Sequence, residues 1–292
     1  MSDRSNPSSG SITDQLNICF YGAGSMAEAI VRGLINTAVA KPDQISMINR
    51  SSQERIEFLH NTYGVRAASD AQTKEKLLQE ASILVLAMKP KDAGEALKAL
   101  GPLLRDDQLI ISVIAGLSIN TIHALLGRTQ PVARTMPNTS SSIGLGATGI
   151  AFSSEVSEEH SQQVLSIFKA VGLVSVIPEE QMDILTGISG SGPAYIYYMM
   201  EAMIAGGIEG GLSAEQAREL TVQTVLGAAN MMIQTGEDPA SLRKAITSPN
   251  GSTQAALEVF EGAGFTETVK AAVRRCAERS REMGAAVEEA LS

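Results

Sequence analysis

Two glycines and an alanine, Gly22, Gly24 and Ala27, punctuate the run Gly22-Ala23-Gly24-Ser25-Met26-Ala27, which joins the apolar segment Ile18-Cys19-Phe20-Tyr21 to an Ala- and Ile-rich stretch. That order, strand then turn then helix, is what binding a pyrophosphate demands. Gly22 permits the reversal, Gly24 leaves the backbone bare for a close approach, and the small Ala27 lets the helix lie near the strand. The N–H groups and dipole of the helix N-terminus favour negative charge there. The second apolar run, Ile45-Ser46-Met47-Ile48, ends in Asn49-Arg50-Ser51-Ser52, with no Asp or Glu where a chain that binds NAD(H) carries one for the ribose hydroxyls. A guanidinium fork with amide and hydroxyl neighbours suits a 2′-phosphate instead, so the expected cofactor is NADPH (NADP+).

Three more apolar runs end in small, polar or proline-containing switches: Ala87-Met88-Lys89-Pro90, Ile114-Ala115-Gly116 and Met136-Pro137-Asn138-Thr139. Ligands of an open parallel sheet gather at such carboxyl ends, which places Ala115-Gly116 and Asn138-Thr139 near the nicotinamide. Lys89 meets the cofactor, a substrate carboxylate or only solvent, and Pro90 keeps it out of helical geometry. Further along, Gly187-Ile188-Ser189-Gly190-Ser191-Gly192-Pro193-Ala194-Tyr195 reads as a hinge feeding a helix. The run Thr247-Ser248-Pro249-Asn250-Gly251-Ser252-Thr253 precedes a helix expected over 254–260; its hydroxyls and N–H groups form either a carboxylate cradle or a capped turn without a ligand. Neither motif carries an acid–base pair, and His60, His123 and His160 all fall in expected helices of the first half. An alcohol or ketone needs a positioned acid or base. A protonated imine accepts a hydride without one, and a site of hydroxyls and amides suits it.

The strands that must present these ends are expected at 18–21, 45–48, 83–87, 109–113 and 132–134, with others near 148–152 and 173–177. Alternating with helical stretches, they imply a parallel sheet with right-handed crossovers. From Gln181 onward the spacing is helical throughout. Ser213 followed by Gln216 is a capping box, and Asp238-Pro239 an N-cap with proline at the first helical position. The pairs Gly206-Gly207 and Gly210-Gly211 permit close helix contact or end a helix. Residues 193–203 and 220–232 are apolar on more than one face, so a homo-oligomer is expected. With 292 residues, 44% of them hydrophobic, the chain fills two domains. Its net charge of −9 speaks against a general binder of nucleic acid or of anionic membranes. Residues 1–14 read as a disordered polar tail without a signal-peptide core, and runs such as 109–117 are too short to span a bilayer. Cys19 and Cys276 read as thiols in a reducing cytoplasm, and no metal is expected.

These motifs, taken in order, resemble those of bacterial pyrroline-5-carboxylate reductases. The likeness runs through GAGSMAEAI at 22–30, Asn49-Arg50, Lys89-Pro90, ISVIAGLS at 111–118, RTMPNT at 134–139, DILTGISGSGPAY at 183–195 and, most specifically, residues 247–253. It implies an α/β chain with an N-terminal Rossmann-type parallel sheet domain at 15–177, then an all-helical substrate-binding and dimerisation domain at 178–292. It also implies NADPH-dependent reduction of 1-pyrroline-5-carboxylate to L-proline by dimers or rings of dimers. Carried over by motif position, Gly22, Ala23, Gly24, Ser25, Met26 and Ala27 hold the pyrophosphate. Asn49, Arg50 and Ser51 take the ribose phosphate, and Ala87, Met88, Lys89, Pro90, Ala115 and Gly116 the nicotinamide side. Ser248, Asn250, Gly251, Ser252 and Thr253 bind substrate, with Thr253 on the ring nitrogen as the catalytic residue. Glu201 matches a position that is often acidic. Asn250 departs from a common Gly and Ser140 from a common Pro, and an adenine-contacting Asn has no clear counterpart at 70–74. The alternatives are another imine reductase, a non-catalytic NADP-binding regulatory paralogue, or a β-hydroxyacid dehydrogenase, whose helix-borne Lys the 187–195 motif lacks.

Overall fold

The structure, a computed structural model, describes residues 16–50 and 52–289. The expected tail at 1–14 and the candidate Ser51 lie outside the described residues. In chain order the elements are β1 (Ile18–Tyr21), α1 (Ser25–Asn36), β2 (Ile45–Ile48), α2 (Gln53–Tyr63), β3 (Arg66–Ala68), α3 (Ala71–Glu80), β4 (Ile83–Leu86), α4 (Pro90–Leu100), β5 (Leu109–Ser112), α5 (Ile119–Leu126), β6 (Val132–Met136), β7 (Gly146–Phe152), α6 (Glu158–Lys169) and β8 (Gly172–Val176). There follow α7 (Met182–Leu185), a π-helical turn at Thr186–Gly190, α8 (Gly192–Glu209), α9 (Ala214–Thr235), α10 (Pro239–Ala245), α11 (Ser252–Gly262) and α12 (Phe265–Glu289).

The strands form one sheet in the order β3-β2-β1-β4-β5-β6-β7-β8. Its central strands are buried on both faces because each is a short apolar run whose alternate residues feed opposite cores. Ile18, Phe20, Val85 and Ile111 join one core, together with Ile30 and Leu34 of α1 and Phe168 of α6. Cys19, Leu84, Leu86 and Ile110 join the other, with Leu97 of α4 and Ile122 of α5. The order reverses on either side of β1, so the ends of β1 and β4 flank the switch point where open α/β sheets bind ligands.

The sheet is parallel from β3 to β6, but β7 runs antiparallel to β6. The connection at 137–145 holds only a short 3₁₀ turn, and a parallel return needs a crossover of a dozen or more residues. β3 escapes the pattern of apolar runs because it is a three-residue strand with only Ala68 buried.

Two compact units emerge: residues up to Gly190 together with those from Cys276, and Ser191–Arg275. The division falls later than the 177/178 boundary expected from composition, for a physical reason. Glu179 and Asp183 pair with Arg134 of β6, and Leu185 lies so near Gly149 of β7 that a Cβ there would sit 2.3 Å from its Cδ1. The end of α12 also belongs to the sheet unit, where Ala277, Ser280 and Gly284 are buried. Every element of the second unit is helical. Ser213 opens α9 with the reciprocal capping box, and Asp238 caps α10. Gly206 and Gly207 lie inside α8, and Gly207 faces Ala217 of α9, whose Cβ a side chain at Gly207 would meet at 3.2 Å.

Candidate functional site

Three strand ends converge on Gly22. Its N–H donates to Ile48 O at 2.9 Å, and Ala87 N donates to Tyr21 O at 3.0 Å. With φ at +122°, Gly22 holds a conformation that L side chains rarely adopt, and a Cβ there would lie 2.2 Å from the Ala87 carbonyl oxygen. Only glycine fits. A Cβ at Gly24, by contrast, would meet nothing within 4 Å, so the backbone at the head of α1 is open. Ala27 is fully buried.

Helix ends mark where ligands are expected, because the first N–H groups of a helix have no intrahelical partner. Ser52, Asp70, Ser118, Ser157, Ser213 and Asp238 cap α2, α3, α5, α6, α9 and α10 with a side-chain oxygen. Apart from the four-residue α7, which also lacks one, four others have no side-chain cap: α1 at Gly24, α4 at Lys89, α8 at Ser191 and α11 at Gly251. Each of these four opens inside a motif that the sequence singles out. The turn at Gly22, the bare Gly24 and the uncapped α1 together fit a dinucleotide pyrophosphate.

Arg50 follows β2 with its side chain 79% exposed, and its Nη1 stands 3.5 Å from Asp92 Oδ1 in the first turn of α4. Asn49 Oδ1 accepts from Arg50 N at 2.8 Å. Lys89 is exposed and extended, with φ −74° and ψ 147°, directly before Pro90. Ala115 and Gly116 form the turn after β5, with Gly116 at φ +80°. Asn138, expected near the nicotinamide, also pins two segments together: its Nδ2 donates to Ser189 O at 2.9 Å and its Oδ1 accepts from Ala147 N at 3.3 Å. Asp70, in the stretch where no adenine contact was legible, accepts from Thr73 N at 2.9 Å as the cap of α3.

One network around the Gly-rich turn escaped the sequence reading. Arg55 of α2 donates from Nε to Ala23 O at 2.9 Å and pairs with Glu28 of α1, which also accepts from Tyr63 OH at 2.7 Å. Burial pushes the Glu28 carboxyl up, but the hydrogen bonds from Arg55 and Tyr63 outweigh it and hold Glu28 below the ordinary range. A lone Arg on a polar helix face gives no signal of this in sequence.

In the helical unit, residues 247–253 form the approach to α11, which begins at Ser252 rather than at 254. Asn250 is left-handed at φ +58°, a geometry that Asn tolerates, and its N–H donates to Gln254 Oε1 at 2.8 Å. Gly251 N donates to Ser248 O at 3.0 Å, and Thr253 stands half-buried in the first helical turn. Backbone N–H groups and hydroxyls thus gather at the helix start, the arrangement a carboxylate requires. Glu201 lies exposed on α8. The cofactor candidates described here all belong to the sheet unit and the substrate candidates all to the helical unit.

Comparison with known proteins decides the family. Residues 179–283 match the family described as pyrroline-5-carboxylate reductase dimerisation, and residues 17–116 match that described as NADP oxidoreductase, coenzyme F420-dependent. Pyrroline-5-carboxylate reductase 1 of Bacillus subtilis is 43% identical over 277 residues, which span 95% of this chain and 92% of that protein. The structure of a pyrroline-5-carboxylate reductase from Coxiella burnetii matches with a TM-score of 0.84 at 36% identity, covering 92% of this chain and 98% of that one. The Plasmodium falciparum pyrroline carboxylate reductase with NADP bound gives a TM-score of 0.84 at 30% identity, covering 93% and 99%. The chain belongs to the pyrroline-5-carboxylate reductase family. The family's dimerisation region spans α8, α9 and α11, which expose Tyr198, Ile233 and Val259 at 77%, 79% and 72%. Such apolar exposure on three helices is what an interface between copies covers. Among the described residues, no helix is long and apolar enough to cross a membrane.

Proposed function

We propose that this chain reduces 1-pyrroline-5-carboxylate to L-proline with NADPH, the last step of proline biosynthesis. The observation that carries the reading is the match between the uncapped starts of α1, α4 and α11 and the motifs shared with the family. Anions take the place of the missing caps: pyrophosphate at Gly22, Ala23, Gly24, Ser25, Met26 and Ala27, and the substrate carboxylate at Ser248, Asn250, Gly251, Ser252 and Thr253. Asn49, Arg50 and Ser51 hold the 2′-phosphate, with the guanidinium as a bidentate donor. Ala87, Met88, Lys89, Pro90, Ala115 and Gly116 line the nicotinamide side.

When bound, the nucleotide supplies a hydride to C5 of the imine. The chain's own work is alignment and the exclusion of competing geometry. The Thr253 hydroxyl holds the ring nitrogen and stabilises the amine as it forms. No His or Lys acid is needed, because the imine arrives protonated. Two of the three described histidines have partners elsewhere: His60 Nδ1 lies 2.9 Å from Val65 O, and His123 Nε2 lies 2.8 Å from Gln130 O, while His160 sits on α6.

The active unit is a homo-oligomer, a dimer or a ring of dimers, as the exposed faces of α8, α9 and α11 support. A cytoplasmic location suits Cys19 and Cys276, neither of which forms a disulfide among the described residues. The deciding experiment follows NADPH absorbance with pyrroline-5-carboxylate beside hydroxylated and six-membered ring analogues. Turnover of pyrroline-5-carboxylate is expected, and nucleotide binding without oxidation of NADPH by any of them favours a regulatory paralogue instead.

A further inference from the structure

We infer that the last stretch of α12 is the positioning element of the Ala115-Gly116 turn, with Gly284 as the residue that sets its place; the inference rests on the nicotinamide-side role proposed for that turn. The contact is backbone against backbone in both directions. A Cβ at Gly284 would lie 2.2 Å from Gly116 O, and a Cβ at Gly116 would lie 2.8 Å from Ser280 O and 3.2 Å from Gly284 N. The nearest approaches are all to backbone atoms, with Met283 Cβ next at 3.5 Å in ordinary contact, so wherever the helix goes the turn must follow. Gly116 is itself left-handed at φ +80°, which leaves it no side chain with which to fix its own geometry.

What holds the helix in turn is a polar network centred on a buried arginine. Ser280 Oγ donates to Asp183 Oδ1 at 2.7 Å, and Arg281 Nε stands 3.7 Å from Asp183 Oδ2. Arg134, in the middle of β6 with its side chain only 9% exposed, reaches Asp183 at 3.5 Å and Glu179 at 3.2 Å. Glu179 accepts from Ile119 N at 2.7 Å, and Glu288 accepts from the hydroxyls of Thr121 and Ser118. The helix is therefore fastened to α5, the element that follows the turn, and to β6, the strand beside β5. Because a buried charge left without its partner is costly, the network has one arrangement rather than many.

A methyl group at position 284 must move from 2.2 Å toward the 3.4 Å of ordinary contact. A shift on the order of 1 Å at a group that aligns reactants costs on the order of 100-fold in rate. The test compares two nucleotides on the full-length protein: NADPH, which reaches the turn, and adenosine 2′,5′-bisphosphate, which carries only the adenosine end. In Gly284→Ala the Kd for NADPH is expected to rise about tenfold while that for the bisphosphate stays within about twofold. Equal losses for both would show general damage and overturn the inference, as would no loss for either. If Gly284→Ala does not melt cooperatively, Ser280→Ala carries the test, since it removes one hydrogen bond without adding bulk. It is expected to weaken NADPH about threefold with the bisphosphate unchanged; no change in NADPH affinity overturns the inference. Failure of the wild-type protein to bind NADPH at all would instead sink the proposed function, and this inference with it.

Discussion

Gly22 and Ala87 stand so close that a Cβ on the first would lie 2.2 Å from the carbonyl oxygen of the second. Two parallel strand ends are thereby drawn together where the strand order reverses. Gly22→Ala meets both a steric clash and a disfavoured φ. It is expected to lower stability by about 2 kcal/mol or more and to weaken NADPH and NADH binding alike. Urea unfolding and nucleotide titration check this; undiminished affinity for both would remove the turn from the binding role.

Arg50 is the residue proposed to separate the two nucleotides. Replacing it with Ala is expected to weaken NADPH by about 10- to 100-fold, the worth of a charge-assisted contact, and to leave NADH within about twofold. The loss should shrink in high salt, because the side chain is largely exposed. Titration of both nucleotides reads the ratio, and an unaltered ratio would strip Arg50 of its role.

These two predictions rest on features that differ in how far sequence exposes them. Gly22 is legible through its context, because a Gly-rich turn is common but here it has an apolar strand directly before it and a helix directly after it. The strands β1, β2, β4 and β5 were legible for the same reason, as apolar runs with abrupt polar ends. β3 was not, since Arg66-Ala67-Ala68 offers neither alternation nor bulk. The reversal of β7 depends on the connection at 137–145 and on Asn138, whose amide the sequence reading turned toward the nicotinamide. Arg55 was invisible because a helix-face arginine reads as solvated until its partners, Ala23 and Glu28, come from another element. Helical spacing likewise reveals α12 but not the sheet unit that its small residues Ala277, Ser280 and Gly284 meet.

The Arg55–Glu28–Tyr63 network gives a dependence on acidity. Glu28 is held below its ordinary value of 4.5 on folding. A carboxyl depressed in this way stabilises the fold above its unfolded value, and the contribution disappears as pH falls through the folded one. The urea midpoint of the wild-type protein should therefore exceed that of Glu28→Gln near neutrality, with the gap closing below about pH 4.5. A gap of constant size down to strong acid would contradict the assignment.

Thr253 is the test of chemistry rather than of folding. It is half-buried in the first turn of α11, and that helix opens at Gly251 without a side-chain cap, so its loss should spare the melting temperature. Thr253→Ala is expected to lower kcat about tenfold or more, since a hydrogen bond to a group whose charge changes during reaction is removed. Steady-state kinetics with pyrroline-5-carboxylate decide it, and an undisturbed kcat would exclude the hydroxyl from the reaction.

A side-chain cap contributes about 0.5–2 kcal/mol to a helix, and α1, α4 and α11 go without. In the proposed function, metabolites finish a secondary structure that the polypeptide alone leaves incomplete. Resistance to heat and to proteases should climb with occupancy, so the durability of this chain follows the supply of its own reactants.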